Sequence, residues 1–310
     1  MASVDLKDAY YSIPIAEEGR KLLMFQWKGK YYQFTCLPNG LSSAPRIFTK
    51  ILKPVYARLR SIGHTCMGHI DDSLLVGQSF NSCHRNTADT VSLFTNLGFT
   101  IHPVKSVLLP QQKIDFLGFV LDSITMTVTL TAAKAMKVRY ACQNLLFQKT
   151  TTIRSVAQVI SFLVSSFPVV EYAEMHYRHS ELDKISALRA NKGNFDSIMA
   201  LSFQSKTELT WWVNNVLAAS KPISHGNPDL TLTTDASNVG RGAVCGDTST
   251  GGFWSLKEQR HHINFLELKA VLLGMKSLCG AFSEKHVLVQ SDNITTVAYI
   301  NAMGGIKSIL

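Results

Sequence analysis

Short apolar runs bounded by turn residues mark strands along the first part of the chain, and a three-to-four-residue rhythm marks helices. Ser3–Ile15 opens as a strand and turns at Asp8. Glu17 to Lys30 reads as a turn and then strands: Leu22, Leu23, Met24 and Phe25, followed past Gly29 by Tyr31, Tyr32, Gln33 and Phe34. Leu37–Phe48 is a Pro/Gly turn entering a helix, with Ser42 and Ser43 available as caps. Phe48, Ile51, Leu52, Val55 and Leu59 keep helical spacing and are assigned to the core. Met67 and Ile70 before Asp71-Asp72, and Leu74, Leu75 and Val76 after, predict a tight hairpin with the aspartates at its tip. His84–Leu97 is helical through Ala88, Val91, Leu93, Phe94 and Leu97, closed by Gly98. Ile114–Leu121 alternates around Gly118 as a hairpin. From about Thr131 to Asn227 helices alternate with polar turns, one carrying Ile153, Val156, Ile160, Leu163 and Val164, another Glu208–Trp212. Ser220–Pro228 is the best linker. Leu230–Ser237 and Gly240–Val244 then read as strands, Ile263–Leu278 as an apolar helix and Val287–Asn293 as a strand.

Composition supports folded cores. Of 310 residues 46% are hydrophobic and 17% charged, which excludes a disordered chain and allows two domains or more. The net charge of +9 is uneven: residues 229–310 carry 7 Lys+Arg and 7 Asp+Glu, so the earlier part holds all of it. A basic first part suits a groove that tracks a phosphate backbone, against the simpler reading of a generally basic surface. Six scattered cysteines with no C-x-x-C pair signal neither zinc nor a disulfide framework, and point to reduced, buried thiols in an intracellular protein. No secretory signal stands at Met1, and the apolar run Val156–Val170 is broken by Gln158, several Ser and Pro168, as in a core helix rather than a membrane span.

The chemistry sits in two sets of acids. Asp71 and Asp72, side by side in Gly68–Val76, are either an ordinary turn or a metal site, since adjacent carboxylates repel unless a divalent cation neutralises them. In the second set Asp235 ends a strand, Glu267 lies between Leu266 and Leu268, and Asp292 ends another strand. An ionised Glu in apolar surroundings is costly unless a partner or metal compensates it.

Ser3–Ile15, Leu37–Phe48 and Gly68–Val76, in this order, resemble the palm motifs of reverse transcriptases. The wording looks closest to DIRS-type (tyrosine-recombinase) retrotransposons, with gypsy-type elements next. The strand, helix, strand delivery of Asp235, Glu267 and Asp292 resembles ribonuclease H. The resemblance implies an α+β polymerase palm with a ferredoxin-like core over residues 1–130, a helical thumb and connection over 131–228, and an α/β ribonuclease H-like domain over 229–310. It implies a fingers region largely missing ahead of the palm, and a ribonuclease H-like segment that lacks the family's fourth acid.

By resemblance, Asp5, Asp71 and Asp72 are catalytic and metal-binding in the polymerase, as are Asp235, Glu267 and Asp292 in the nuclease, with two Mg²⁺ (or Mn²⁺) ions per site. Asp8 and Ala9 would face the triphosphate, Tyr10 would be the steric gate, and Asn39 and Gly40 would lie by the incoming sugar. His69 stands where the family's hairpin usually has Tyr. Lys105 compares with the lysine that protonates the pyrophosphate leaving group, and Phe116, Leu117 and Gly118 with the primer grip. The implied partners are an RNA template, a DNA primer, RNA–DNA hybrid and dNTPs, with no membrane. The alternative is a non-catalytic nucleic-acid-binding remnant of a retroelement.

Overall fold

The computed structural model describes residues 1–224 and 226–304, so the final residues of the segment expected over 229–310 lie outside the described residues. The chain forms two compact units, Met1–Thr127 and Val128–Leu310. The segments expected over 131–228 and 229–310 therefore fall together in the second unit.

The first unit contains β1 (Ala2–Lys7), α1 (Glu17–Arg20), β2 (Met24–Trp27), β3 (Lys30–Gln33), α2 (Ala44–Ser61), β4 (Thr65–His69), β5 (Asp72–Val76), α3 (Phe80–Asn96), β6 (Thr100–Ile101), β7 (Lys113–Phe116) and β8 (Phe119–Asp122). Its main sheet runs β4-β5-β1-β6, antiparallel throughout. The chain order β1-α2-β4-β5-α3-β6 makes this a split βαβ arrangement, the ferredoxin-like core. The core packs Val4 and Leu6 of β1 against Phe48, Leu52, Val55 and Leu59 of α2, and Phe94 of α3.

Four details of this unit differ from the sequence reading. Ser43 occupies the N-cap of α2 in helical dihedrals (φ −85°, ψ −13°), which leaves its hydroxyl without a capping bond. Ile51 projects away from the core stripe and is exposed. The buried face of α3 is Cys83, Asn86, Thr87, Thr90 and Phe94, while Ala88 and Leu97 are exposed. Asn86 is inside because its Nδ2 donates to Thr65 O (2.9 Å) and Val76 O (3.2 Å), closing the open end of the β4–β5 hairpin. α3 also starts earlier than His84, at a capping box made by Ser79 and Ser82.

Past the boundary, which falls at the first residue of β9 (Thr127–Leu130), the second unit holds α4 (Ala132–Phe147), β10 (Thr151–Thr152), α5 (Ile153–Val164), α6 (Arg178–Ala190), β11 (Ile198–Met199), α7 (Phe203–Asn215) and β12 (Ser220–Pro222). Thr131, Thr152 and Ser202 cap α4, α5 and α7 through their side chains. α5 buries Ile153, Val156, Ile160 and Leu163 but exposes Val164. β12, paired with β9, occupies the start of the expected linker.

It continues with β13 (Leu230–Ala236), β14 (Gly240–Cys245), β15 (Thr248–Phe253), α8 (Ile263–Gly274), β16 (Val287–Gln290) and α9 (Ile294–Asn301). The sheet order is β15-β14-β13-β16, with β13 and β16 parallel and the other pairs antiparallel. The predicted Ile263–Leu278 helix is α-helical only to Gly274, then widens into a π turn over Met275–Cys279. At Gly274 the helix comes down on the sheet: a Cβ there would stand 2.8 Å from Ala243 Cβ and 3.4 Å from Thr234 Cγ2. Among the described residues no helix is long and apolar enough to cross a membrane.

Candidate functional site

In the first unit, strand register brings the acids together. Asp5 of β1 is paired directly with Asp72, the first residue of β5. Asp71 sits in the turn before it, next to Ile70, whose φ of 55° makes the tight reversal. The Leu6 N–H donates to Asp71 O at 3.0 Å, which ties the turn to β1. The hairpin lies flat on α2 because Gly68 has no Cβ; one would stand 2.2 Å from the Tyr56 ring. Tyr56 is held in turn by its hydroxyl, 2.7 Å from Ser73 Oγ.

Burial first, then the charges of Asp71 and Asp5, push the Asp72 carboxyl above the usual Asp value, opposed by His69 and Lys105. Three carboxylates at one hairpin end suit a divalent cation with oxygen ligands. Lys105 Nζ lies 3.8 Å from Asp5 Oδ2, with a largely exposed side chain, so the pair adds little stability. Its loop is fixed by the His102 N–H bond to Asp5 O (2.8 Å) and the Asp5 N–H bond to Ser106 Oγ (3.0 Å).

Beside the acids is a cleft of about 340 Å³ lined by Asp8, Ala9, Tyr10, Tyr11, Asn39, Ile70 and Asp71. Asp8 adopts left-handed dihedrals (φ 53°) that end β1 and expose the turn, while Ala9 is buried. Tyr10 packs edge-on against Phe48, with centroids 5.4 Å apart, and its hydroxyl is pushed above the usual range by burial and then by Asp71. Asn39 Nδ2 donates to the Tyr11 hydroxyl at 3.1 Å. Gly40 follows with φ +89° but is not among the lining residues. Sequence reading passed over Tyr11 and Ile70 as cleft residues; both were legible only as packing. Phe116, Leu117 and Gly118 form the end of the β7–β8 hairpin, whose two central residues have φ of 52° and 78°, the dihedrals of a type I′ turn.

In the second unit, Asp235, Glu267 and Asp292 place carboxylate oxygens within 4.8 Å of one another. Among the described residues no other trio of acid, His or Cys side chains is gathered so tightly. Asp235 is near the end of β13, Asp292 follows β16, and these parallel neighbours deliver both to one edge. Glu267 comes from α8 and is 3% exposed. Its Oε1 accepts from the Ala236 N–H at 3.2 Å, and its Oε2 has no hydrogen-bond partner. Burial holds its carboxyl above the ordinary Glu value, with Asp235 and Asp292 adding to the rise and the Ala236 N–H opposing it. A buried, half-satisfied carboxylate between two others fits a hard divalent cation by donor type and by charge. Asn293 caps α9 through Thr296 N (2.8 Å) and donates from Nδ2 to Asn264 Oδ1 of α8 (3.0 Å), which ties the Asp292 loop to the helix bearing Glu267.

Residues 1–121 match the family model for reverse transcriptase (RNA-dependent DNA polymerase). The Pol polyprotein of the Drosophila melanogaster transposon gypsy is 23% identical over 287 residues, covering 89% of this chain and 26% of the relative. The Gag-Pol polyprotein of Rous sarcoma virus (strain Prague) is 32% identical over 130 residues, covering 39% of this chain and 8% of the relative. The chain thus spans only a minor part of either polyprotein. Among solved structures, a foamy viral protease-reverse transcriptase in complex with RNA/DNA hybrid matches with a TM-score of 0.60 at 17% identity, over 93% of this chain and 38% of that one. The first unit therefore carries a reverse transcriptase domain with a polymerase palm fold, related to gypsy and retroviral Pol proteins. These matches do not favour the non-catalytic alternative.

Proposed function

We propose that this chain is part of a retrotransposon RNA-directed DNA polymerase with an associated RNA–DNA hybrid ribonuclease. The observation that carries the polymerase reading is the pairing of Asp5 with Asp72, next to Asp71 in the wall of the Asp8-Ala9-Tyr10-Asn39 cleft. Asp5, Asp71 and Asp72 would hold two Mg²⁺ or Mn²⁺ ions. When bound, such ions activate an attacking oxygen and neutralise charge on the departing one. The chain's own residues do the rest. The turn at Asp8 and Ala9, exposed at Asp8, would offer backbone to a triphosphate, and the Tyr10 ring, fixed against Phe48, bounds the space for the sugar. Asn39, held by Tyr11, lies across the same cleft. Lys105 stands beside Asp5 and would give its proton to the leaving pyrophosphate. The Leu117-Gly118 turn would lie under the primer end. The template is RNA, the primer DNA and the substrates dNTPs.

In the second unit Asp235, Glu267 and Asp292 would hold ions for hydrolysis of the RNA strand of a hybrid; the orphaned Glu267 Oε2 supports that reading. The foamy viral neighbour is bound to an RNA/DNA hybrid, which supports a nucleic-acid partner for this chain. The motif wording of Ser3–Ile15 and Gly68–Val76 supports a DIRS-type source, with gypsy-type elements next.

The test is Mg²⁺-dependent primer extension on an RNA template. Asp71→Asn with Asp72→Asn should lower extension by about a thousandfold or more, since the double change removes the ligands on which charge neutralisation depends. Unchanged extension would sink the assignment.

A further inference from the structure

A second feature adjoins the acid trio. A cleft of about 380 Å³ is lined by Asp235, Ala236, Ser237, Val239, Gly240, Arg241, Gly242, Gly252 and Phe253. Three of the nine residues are glycines, which add no side chain to its wall. A Cβ on Gly242 would meet nothing within 4 Å, so the cleft is open on that side. The single cation in it is Arg241, directly opposite Ala236 on the neighbouring strand.

Arg241 is held without an acid. Its guanidinium carbon lies 5.1 Å from the centre of the Trp254 ring. Trp254 is 3% exposed and is itself anchored by Nε1 donating to Ser237 O at 2.9 Å. On its other side the guanidinium rests over Gly252, where a Cβ would stand 3.3 Å from an Nη atom. Among the described residues no carboxylate lies within ion-pair distance of Arg241, although Asp235 lines the same cleft. An aromatic ring fixes a guanidinium while leaving its N–H groups unspent, and the planar fork matches phosphate oxygens.

We infer that Arg241 and the glycine walls form a phosphodiester subsite, which receives a backbone phosphate of the hybrid next to the one cut at Asp235, Glu267 and Asp292. This deepens the nuclease reading and rests on it. A phosphate finds there a pre-positioned cation with unspent N–H groups.

The experiment is binding of a fluorescent RNA–DNA hybrid in Ca²⁺ across a salt series, with single methylphosphonates walked along each strand. The unmodified protein should lose about tenfold in affinity at one methylphosphonate position, the loss of one charged hydrogen-bonded contact. Arg241→Gln should lose a similar factor on the natural hybrid, reduce the salt slope by about 1, and no longer respond to that methylphosphonate. Arg241→Lys should keep the slope and lose part of the affinity, and Gly252→Ala, which presses on the guanidinium, should weaken binding with the charge intact. The methylphosphonate scan of the unmodified protein does not depend on how any variant folds. An unchanged slope in Arg241→Gln, or a methylphosphonate penalty that persists in it, would overturn the subsite. Failure of the nuclease reading looks different: hybrid cleavage would survive Asp235→Asn whatever the binding data show.

Discussion

Two glutamates are buried in the second unit, and they differ in what they lack. Glu208 of α7 is 5% exposed, and both its oxygens are fully used. Oε1 accepts from His179 N and His179 Nδ1, each at 2.9 Å, and Oε2 from Ser180 N and Ser180 Oγ, each at 3.0 Å. Those N–H groups are at the first turn of α6, so Glu208 acts as a cap supplied by another helix. Glu267 is buried to the same degree with one bond at 3.2 Å and one oxygen bare. Burial alone therefore does not mark a functional acid. The mark is an unmet acceptor facing further carboxylates, which the fold tolerates only if something else completes the site.

The same isosteric change, Glu to Gln, separates the two. The largest effect is on catalysis: Glu267→Gln should lower hybrid cleavage by about a thousandfold through loss of a metal ligand, with primer extension unaffected. Glu208→Gln should leave the turnover of folded protein within a few-fold. On stability the order reverses. Glu208→Gln turns an acceptor of two donors into a donor facing them, and should cost about 2–3 kcal/mol in denaturant unfolding. In metal-free protein at pH 8, Glu267→Gln should instead raise Tm by about 2–4 °C, since it removes a buried charge. If both variants are destabilised alike, the contrast fails.

Added metal sharpens the comparison further. Mn²⁺ at about a hundred times its Kd should stabilise the unmodified protein by about 2.7 kcal/mol, by simple linkage, and Glu267→Gln should lose most of that response while Glu208→Gln keeps it. The smallest effect is on pH dependence. Because the folded Glu267 carboxyl titrates above its unfolded value, its contribution to stability is full below the ordinary Glu pKa and is lost as pH rises through the raised one. Metal-free melting should show this decline, and the decline should vanish in Glu267→Gln.

Much of the backbone was legible in the sequence. The Asp71-Asp72 hairpin, the turn at Leu117-Gly118 and the helix carrying Glu267 follow from period and from turn chemistry, which are local. What escaped depends on distant partners. Asn86 reads as a surface residue of a helix until the strand ends it bonds are known. Thr248–Phe253, with Thr, Ser and two glycines, has no strand pattern of its own and pairs because β14 offers an edge. Ser220–Pro222 reads as linker for the same reason. The acids were visible as residue types at strand ends, but the distinction between Glu208 and Glu267 was not, because it lies in which N–H groups the fold brings to each. Arg241 likewise looked like an ordinary basic residue between glycines until Trp254 was seen beneath it.

The close seat of α8 at Gly274 has a consequence for how this chain can drift. Glu267 lies seven residues before Gly274, two turns up the same side of the helix. A single added methyl at Gly274 would meet Ala243, Thr234 and Leu232 together, and a rigid rod lifted at one end shifts at the other. The tolerance of the acid trio is thus set some 10 Å from it, by a residue with no chemistry at all. Under the ribonuclease reading proposed above, copies that accumulate changes would lose cleavage through such a position while every carboxylate still reads as intact, so an inventory of acids would overstate how many copies can cut.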